Sequence, residues 1–437
     1  MDSSQAECLA LRLSSHPELL SRFSQLLDVV EQVDGDRRTA DAAEARTVES
    51  LRQLGSEVLH GWASTGVREH ESDVDLGSCR RKGIFFYWQS SFGEIGVIEP
   101  VFCHKESGRL QPRLRSRFQV ECRAHSRHLQ RIMTDFGADE SFGQASVKVR
   151  EHYGIEISVK SLGNVTLAHA RQFAGQEQES LDEQCPALEE GVKRVILQSD
   201  GAMVPVVGIR AGRGDAGKRR EAGWKEAKST LAYEPGRVTP VYAATMKHKD
   251  QAGWRMRQVA LDAGMGRQTK VHALGDGAVW IGEKVRTHFG ERSSYLIDFC
   301  HLCEYLAAAV QQAPIQNKPA CLGRVKALAK KGQLATLCQW FQKWREPESV
   351  PKAEAPVRTL IQCIQNRPGQ FDCPNALENR LPIGSGQIES SHRHLIQKRL
   401  KIPGAWWKLE NADSMLALRV ARKNQRWTHC WEQHTPD

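Results

Sequence analysis

Apolar residues at helical spacing mark the first part of the chain. Two runs keep the three- and four-residue spacing of one helix face, the first with Leu19, Leu20, Phe23, Leu26, Leu27 and Val30 and the second with Val48, Leu51, Leu54 and Val58. Residues 35–38 contain a glycine and separate the two runs. We therefore predict a helical region over residues 1–75 that folds as a hairpin on its own chain, with self-association of that hairpin as the alternative.

A β-rich pattern follows. Residues 84–88 are aromatic and apolar, and Gly93, Gly96 and Pro100 punctuate the sequence after them as hairpin turns do. This pattern predicts a small β-rich module over residues 76–130.

Two helical patterns with a tight connection come next. They cover residues 142–152 and 158–173, and Gly154 suits the turn between them. Ser158 can cap the second helix. The pattern predicts a helix–turn–helix region over residues 131–178, a motif found both in DNA-binding proteins and in proteins that never contact DNA.

Alternating strands and helices follow an acidic, polar stretch at residues 176–190, which we interpret as a linker. The predicted strands cover residues 192–198, 203–209, 238–245, 271–274 and 294–299. A predicted helix follows each of the last two strands, the first over residues 278–289 and the second from about residue 301. Several strands first, and then strands alternating with helices, predict an α/β core with a mixed sheet flanked by helices.

The rest of the chain is helical in pattern. Helical runs bounded by prolines fill residues 303–366, and the pattern resumes from residue 386 with a break at Pro403 and Gly404. We predict three segments, which are the first part of the α/β core over residues 190–302, an all-α segment over residues 303–380, and C-terminal helices of the core over residues 381–437.

The charge of the chain favours a polyanionic partner. The chain carries 61 lysines and arginines against 52 acids, a net charge of +9, and a strong positive charge attracts nucleic acids. No uncharged apolar run approaches the ~18 residues of a membrane-spanning helix, and the N-terminal residues lack the pattern of a secretion signal. We therefore expect a cytoplasmic protein with no membrane partner.

Basic residues cluster in two places. Residues 109–131 contain seven arginines and one acid, and residues 390–408 contain five lysines and arginines and no acid. A solvated surface is the ordinary explanation of a charge run, whereas this imbalance favours contact with phosphates. The candidate DNA contacts are Arg109, Arg113, Arg115, Arg117, Arg123, Arg127, Arg393, Lys398, Arg399 and Lys401.

Three further features accompany these clusters. Trp406 and Trp407 lie beside the second cluster, where a flat ring can stack on an unpaired base or pack in a core. Residues 210–228 form a glycine-rich basic stretch, which we interpret as a loop near phosphates. Four residues in or near the arginine-rich region could form a structural zinc site as an alternative, namely Cys103, Cys122, His125 and His128. No tight cysteine pair anchors such a site.

Three acids carry the chemical interpretation. Asp200 and Asp276 each end an apolar, strand-like run, and Glu389 opens a basic helix. Divalent cations such as Mg²⁺ bind carboxylate oxygens, and two such ions about 3.5–4 Å apart promote phosphodiester cleavage. A turn-forming Asp before Gly, or an ion pair of Glu389 with Arg393 on one helix, is the structural alternative. Three glycines are expected to let a phosphate backbone approach the acids, at Gly201, Gly275 and Gly277.

At these residues the chain resembles the DDE-type transposases of bacterial insertion sequences, most closely the group typified by the Kranji insertion sequence. The resemblance lies in Ser-Asp-Gly at Asp200, Gly-Asp-Gly at Asp276 and Gly-Ser-Gly-Gln-Ile-Glu-Ser at Glu389. Residues 411–419 also resemble the C-terminal part of that group. The resemblance covers roughly residues 80–437 and implies an RNase H-like catalytic core.

The resemblance also implies a role for each residue. Asp200, Asp276 and Glu389 would hold two Mg²⁺ ions, for which Mn²⁺ can substitute, to cleave DNA at the element's ends and join the freed 3′-OH to target DNA. Asp298 and His301 resemble an Asp-x-x-His signature that follows the second catalytic acid, which implies an accessory role. The predicted all-α segment fits the insertion that relatives with this signature carry between the second and third acids.

The implied partners are double-stranded DNA and a second copy of the chain. The helix–turn–helix region would hold the terminal inverted repeats, and a homodimer or larger homo-oligomer would act at the nucleoid of a bacterial cell. Two other functions stay open. A sequence-specific DNA-binding regulator with an inactive RNase H-like domain would bind ends without cutting them, and a structure-specific RNase H-like nuclease or resolvase would cut junctions without repeat ends.

Overall fold

A computed structural model gives the structure of the chain, and two compact units divide it between Thr166 and Leu167. The structure describes residues 3–31, 39–74, 78–80, 82–108, 110, 113–182, 189–210 and 219–432. In this part of the chain no helix is both long enough and apolar enough to cross a membrane.

Three helices open the first unit. They are α1 (Ser3–Ser14), α2 (Pro17–Val30) and α3 (Ala40–Ser72). Thr39 caps α3 by accepting a hydrogen bond from the amide of Ala42, which satisfies one of the free donors at the helix start. Helix α2 packs on α3, and Arg22 donates to Gln53 across the pair at 2.8 Å. The two predicted helical runs thus pack on each other within one chain, and their connection at residues 32–38 lies outside the described residues.

The β-rich pattern forms two small antiparallel pairs. The strands are β1 (Ser78–Arg80), β2 (Ile84–Ser90), β3 (Gly93–Glu99) and β4 (Phe102–His104), and helix α4 (Leu114–Phe118) follows them. Strand β2 pairs with β3, and β1 pairs with β4. Alternate residues of β2, Phe86 and Trp88, are buried against Ile95, Leu114 and Ala63, as the two-residue period of a strand requires.

Three helices occupy the region of the predicted helix–turn–helix, with a tight turn between the last two. The helices are α5 (Arg127–Asp139), α6 (Phe142–Tyr153) and α7 (Val159–Asp182). Gly154 ends α6 with φ +66°, and the hydroxyl of Ser158 accepts from the amide of Ser161 at 3.1 Å. Helix α7 continues nine residues beyond the predicted end at Phe173, because no proline interrupts the chain before Pro186. The first part of the predicted linker is therefore helical.

A mixed five-stranded sheet forms the centre of the second unit. Its strands are β5 (Arg194–Arg210), β6 (Arg219–Tyr233), β7 (Val241–Thr245), β8 (Lys270–Gly275) and β9 (Ser293–Ile297). The order across the sheet is β7-β6-β5-β8-β9. Strands β5, β6 and β7 pair antiparallel, whereas β8 and β9 run parallel to β5. The predicted α/β architecture with a mixed sheet flanked by helices is thus confirmed.

The two strands predicted over residues 192–198 and 203–209 are one strand, β5. Its pairing with β6 continues over fifteen residues, from Ile196 opposite Tyr233 to Arg210 opposite Arg219. This long ladder satisfies the backbone through Gly201, so that no turn forms there. The same ladder makes the predicted basic loop a strand from Arg219 onward, and residues 211–218 of that loop lie outside the described part of the chain.

Helices cover both faces of the sheet. The helices of the α/β core and the following segment are α8 (Lys249–Asp262), α9 (Val279–Phe289), α10 (Phe299–Gln312), α11 (Lys318–Lys330), α12 (Leu334–Gln342), α13 (Pro356–Gln365) and α14 (Cys373–Glu378). Val195 and Leu197 of β5 pack with α8 and α9, whereas Ile196 packs with α14 on the opposite face. Residues 303–380 contain helices and turns without a strand, and they have their own core around Leu306 and Phe341.

C-terminal helices complete the second unit. They are α15 (Gly386–His392), a π-helical turn (Arg393–Gln397), α16 (Lys398–Leu400), α17 (Leu409–Lys423) and α18 (Trp427–Glu432). Helix α15 packs on β5 and β6, and α17 packs on β5 and β7. The C-terminal helices therefore lie against the antiparallel half of the sheet.

Candidate active site

Asp200 and Asp276 follow paired residues of two neighbouring strands. The parallel ladder between β5 and β8 ends at the pair of Ser199 with Gly275, and each acid is the next residue. Asp200 does not end its strand as predicted, because β5 continues beside β6, where Asp200 pairs with Ser229. Both acids lie on the sheet face of α14 and α15, since side chains alternate along a strand.

Burial and neighbouring charge act together on Asp200. Its side chain is 19% exposed, and its Oδ1 accepts a hydrogen bond from the amide of Gly201 at 2.7 Å. Desolvation by burial raises the pKa of Asp200 to about 6, and the negative charges of Asp276 and Glu389 add to this rise, against a lowering by the Gly201 hydrogen bond. The Asp200 pKa therefore places all three acids in one electrostatic environment.

The backbone fixes Asp276 in a tight turn. Its Oδ1 accepts from the amide of Ala278 at 2.8 Å, and Gly277 adopts φ +89°, a conformation that favours glycine. Arg367 donates to the carbonyl of Gly277 at 2.9 Å and holds the turn from the helical segment. The turn therefore holds one oxygen of Asp276 through the main chain.

Two of the three glycines have a packing role in place of the predicted phosphate clearance. A Cβ on Gly201 would lie 2.2 Å from Oε1 of Glu226, and a Cβ on Gly275 would lie 3.0 Å from Ile281 and Tyr295. The protein itself therefore occupies the space next to these glycines, and the close approach is between strands and side chains of the same chain.

Glu389 lies in the first turn of α15 and is exposed. Two interactions hold this turn on the sheet, since Ile388 is fully buried and its amide donates to Oε1 of Gln198 of β5 at 3.1 Å. Neither Glu389 nor Arg393 forms an ion pair with any described residue, so the structural alternative of a bridge along this helix is not formed. The carboxylate of Glu389 is free to bind a cation.

The chemistry of these donors fits a hard divalent cation, because carboxylate oxygens are its usual ligands and the acids bring negative charge together without a lysine or arginine partner among the described residues. The geometry is less complete. Within the described ranges, no group of three or more His, Cys, Asp or Glu side chains is arranged to hold a metal ion. A cation at Asp200, Asp276 and Glu389 would have to draw the side chains together.

Asp298 is a buried structural acid. It is 2% exposed, and its Oδ1 caps α10 by accepting from the amide of Cys300 at 2.5 Å. Its Oδ2 accepts from both the amide, at 2.6 Å, and the hydroxyl of Ser385, the residue before α15. Asp298 thus joins the start of α10 to the start of the helix that carries Glu389.

His301 differs from Asp298 in its surroundings. It is partly exposed, and its Nδ1 lies 3.3 Å from Glu304 on its own helix. Its electrostatic contribution lowers the pKa of Asp200. The predicted Asp-x-x-His signature therefore divides into a structural acid at Asp298 and a partly exposed histidine at His301 that acts electrostatically on Asp200.

His392, which the sequence interpretation did not include, touches Asp200. Its Nδ1 lies 3.6 Å from Oδ2 of Asp200, and its Nε2 lies 2.6 Å from the hydroxyl of Ser229. Burial lowers the pKa of His392 to about 4, with a further lowering by Lys401, so the ring is neutral at physiological pH. The three-residue spacing from Glu389 on one helix was the available sequence signal.

The arginine-rich stretch of the first unit is partly neutralised by acids distant in sequence. Arg113 pairs with the buried Glu99 at 2.5 Å, and Arg117 forms ion pairs with Glu69 and Asp73. The other predicted contacts of this stretch divide as follows: Arg115 lies 3.6 Å from Glu121, Arg123 and Arg127 are exposed, and Arg109 lies outside the described residues.

The C-terminal basic cluster divides in the same way. Arg393 and Lys398 are exposed and Lys401 is half-buried, whereas Arg399 is 2% exposed and lies over the ring of Trp407 at 4.8 Å. The predicted DNA contact of Arg399 is therefore wrong for this arrangement, because its guanidinium packs inside the protein.

The Cys and His residues of the arginine-rich stretch do not assemble a metal site in the described part of the first unit. Cys103 is buried opposite Cys79 in the β1–β4 pair, whereas Cys122 is exposed with its thiol directed at the carbonyl of Phe85. His125 contacts the hydroxyl of Ser161 at 3.3 Å. The structure thus gives these residues separate surroundings.

Comparison with known proteins adds no family to these observations. No protein-family description matches the chain, and no curated protein sequence matches it significantly.

Proposed function

We propose that the chain is a DDE-type DNA transposase that acts at the ends of a bacterial insertion sequence. The observation that carries this proposal is the placement of Asp200 and Asp276 as the residues after the last pair of one parallel ladder, with Glu389 on a helix packed against the same strand. Two acids on neighbouring strands and a third on a helix across from them suit a site that holds cations against a phosphodiester.

An RNase H-like core is part of this proposal. Support comes from the mixed five-stranded sheet with helices on both faces, and from the helical segment that separates Asp276 from Glu389. In this interpretation α10 to α14 form the all-α insertion, and Asp298 connects its first helix to α15. The insertion and the third acid are therefore joined through one buried side chain.

Asp200, Asp276 and Glu389 are the residues that would hold two Mg²⁺ ions. When bound, these ions supply the Lewis acidity that activates water and stabilises the leaving oxygen. The chain itself orients the carboxylates, since the amide of Gly201 fixes one oxygen of Asp200 and the amide of Ala278 fixes one oxygen of Asp276. The main chain thus holds one oxygen of each acid in place.

DNA recognition would come from the helix–turn–helix of α6 and α7 and from the exposed basic residues. Arg123 and Arg127 of the first unit and Arg393 and Lys398 of the second are exposed, as phosphate contacts must be. We propose that these surfaces hold the terminal inverted repeats and the target DNA, and that the protein acts as a homodimer or larger homo-oligomer.

Cleavage of a labelled duplex tests the proposal. The duplex carries the element's own end and its flank, and wild type is compared with Asp276→Asn in the presence of Mg²⁺. A nick at the repeat boundary by wild type alone is the expected result, and Glu378→Gln, which alters an exposed acid on α14, serves as the matched control.

Three other outcomes would contradict the proposal in different ways. Bound but uncut DNA would favour the regulator, and cutting of junctions without repeat ends would favour the nuclease or resolvase. Equal cleavage by Asp276→Asn would remove the acids from the reaction.

A further inference from the structure

His392 connects the third acid's helix to the first acid. It lies three residues after Glu389 on α15 and is 6% exposed. Its ring contacts one residue of β6 and one of β5. Nε2 lies 2.6 Å from the hydroxyl oxygen of Ser229, and Nδ1 lies 3.6 Å from Oδ2 of Asp200. Ser229 is also the residue opposite Asp200 in the β5–β6 ladder, so the three side chains form one contact group across two strands and a helix.

The carboxylate of Asp200 decides which ring nitrogen of His392 carries the hydrogen. Nδ1 faces Oδ2 of Asp200, where a ring hydrogen is attracted by the negative charge and a lone pair would be repelled. The ring then accepts at Nε2, and the hydroxyl of Ser229 donates there at 2.6 Å in place of its other acceptor, the main-chain carbonyl of Asp200 at 3.2 Å.

This arrangement gives each oxygen of Asp200 its own donor. Oδ1 accepts from the amide of Gly201 at 2.7 Å, and Oδ2 faces Nδ1–H of His392. The second distance, 3.6 Å, exceeds a hydrogen bond, so Nδ1–H attracts Oδ2 electrostatically at this distance. Residues that hydrogen-bond to a carboxylate fix its orientation and leave its remaining lone pairs directed at a cation.

We propose that His392 is a positioning residue that orients the carboxylate of Asp200 through Nδ1–H, with Ser229 fixing the ring. The proposal rests on the proposed function in one respect, that Asp200 binds a divalent cation. It assigns no contact between His392 and the cation itself, because the ring nitrogen that faces the acids carries a hydrogen.

Two substitutions separate the two ends of the ring. His392→Asn places an amide near the position of Nδ1, so it can still donate to Asp200. In this variant the hydroxyl of Ser229 can donate to the main-chain carbonyl of Asp200. His392→Gln places its amide near the position of Nε2, so it keeps Ser229 as a partner and loses the donor to Asp200. Each variant therefore preserves one neighbour, and both replace a ring by a smaller amide.

The measurement is the affinity of the full chain for Mn²⁺ by calorimetry without DNA, with the melting temperature as a check on folding. His392→Gln and Ser229→Ala should weaken Mn²⁺ binding by about 10- to 100-fold, as loss of an orienting partner does, whereas His392→Asn should stay within about threefold of wild type. Asp200→Asn sets the value for a lost ligand.

Several results would overturn the proposal. Equal Mn²⁺ affinity in His392→Gln and wild type would remove the orienting role, and equal losses in the Asn and Gln variants would leave only packing. Absence of Mn²⁺ binding by wild type would remove the cation at Asp200. Mn²⁺ binding with the expected order of variants, but no cleavage of DNA ends by wild type, would support the positioning role and contradict the transposase proposal.

Discussion

Ser199 and Gly275 form the last pair of the parallel ladder between β5 and β8. Asp200 and Asp276 follow them directly. The backbone hydrogen bonds of the ladder therefore bring the two carboxylates near each other, without any contact between the acids themselves. Like charges held together in this way destabilise the ionised form, and burial of Asp200 adds to the effect. The stability of the cation-free protein should therefore depend on the ionisation of Asp200.

Asp200→Asn should stabilise the cation-free protein at neutral pH. The pKa of Asp200 is about 6 in the folded state and about 3.9 in an unfolded chain, so the folded state binds the proton more tightly. The free energy of unfolding consequently falls as the pH rises from about 4 to about 6, and the ionised acid costs about 3 kcal/mol above that range.

Thermal unfolding with EDTA measures this effect. The melting temperature of Asp200→Asn should exceed that of wild type at pH 7.5 and equal it near pH 4, and added Mg²⁺ should raise the melting temperature of wild type alone. A variant less stable than wild type at pH 7.5 would show that Asp200 is stabilised by its surroundings.

Asp298→Asn should lower both stability and cleavage. The buried carboxylate accepts hydrogen bonds from the amide of Cys300 and from the amide and hydroxyl of Ser385. In the asparagine variant an NH₂ group replaces one oxygen, so it faces hydrogen-bond donors and cannot accept from them. If Asp298→Asn keeps the stability of wild type and loses cleavage, Asp298 acts on the reaction and its structural role is secondary.

Asp276→Asn should lower cleavage and leave the melting temperature within a few degrees of the wild-type value.

Local features of the fold could be predicted from the sequence because they depend on neighbours along the chain. Gly154 ends a helix through its own φ angle, and residues 271–274 form a strand that is mostly apolar and is followed by a glycine. The position of Asp276 at the end of that strand follows directly. The β5–β6 hairpin could not be predicted, since its register depends on pairs as distant as Ile196 and Tyr233, and polar residues on β6 resemble those of a loop.

Contacts between distant residues account for the remaining differences at the site. The acids that neutralise Arg117 are 44 and 48 residues away in the sequence, and Ser229, which fixes His392, is 163 residues away. A count of charges within one segment therefore overstates how many arginines are available to DNA. The same limitation hides the surroundings of Asp200, Asp276 and Glu389, because the fold assembles them from separate segments.

Arg123 and Arg113 should differ in what their substitution changes. Arg123 is exposed at φ +66°, and Arg123→Asn suits this left-handed conformation while removing one charge. The slope of log K against log salt concentration for duplex DNA should fall by about 0.9, which filter binding at several salt concentrations measures, with an unchanged melting temperature.

Arg113→Ala is the contrasting variant. It removes the charged partner of Glu99, which is fully buried and keeps the amide of Leu114 as a donor. It should therefore destabilise the first unit by about 2 kcal/mol, less than a fully buried pair costs because the arginine side chain is 40% exposed. For the first variant, Arg123→Asn, an unchanged salt slope would exclude Arg123 from the DNA contact.

Trp406 and Trp407 should separate binding from folding within one dipeptide. Trp407 is 7% exposed, and its main chain bridges β5 beyond the end of β8, accepting from Val207 at 2.8 Å and donating to Pro205 at 3.2 Å. Trp406 is 47% exposed and lies edge-to-face with the exposed Trp224. One ring thus extends the core, and the other is available to a base.

Trp407→Ala should therefore lose about 3–5 kcal/mol of stability, as large aromatic deletions in cores do. Trp406→Ala should keep the melting temperature of wild type and weaken binding of single-stranded DNA by about 1–3 kcal/mol, the contribution of one stacked base. Fluorescence titration with a single strand, and with its duplex as a control, measures both affinities. Equal weakening of the two would assign Trp406 to a general surface contact, because a base within a duplex is not free to stack on a side chain.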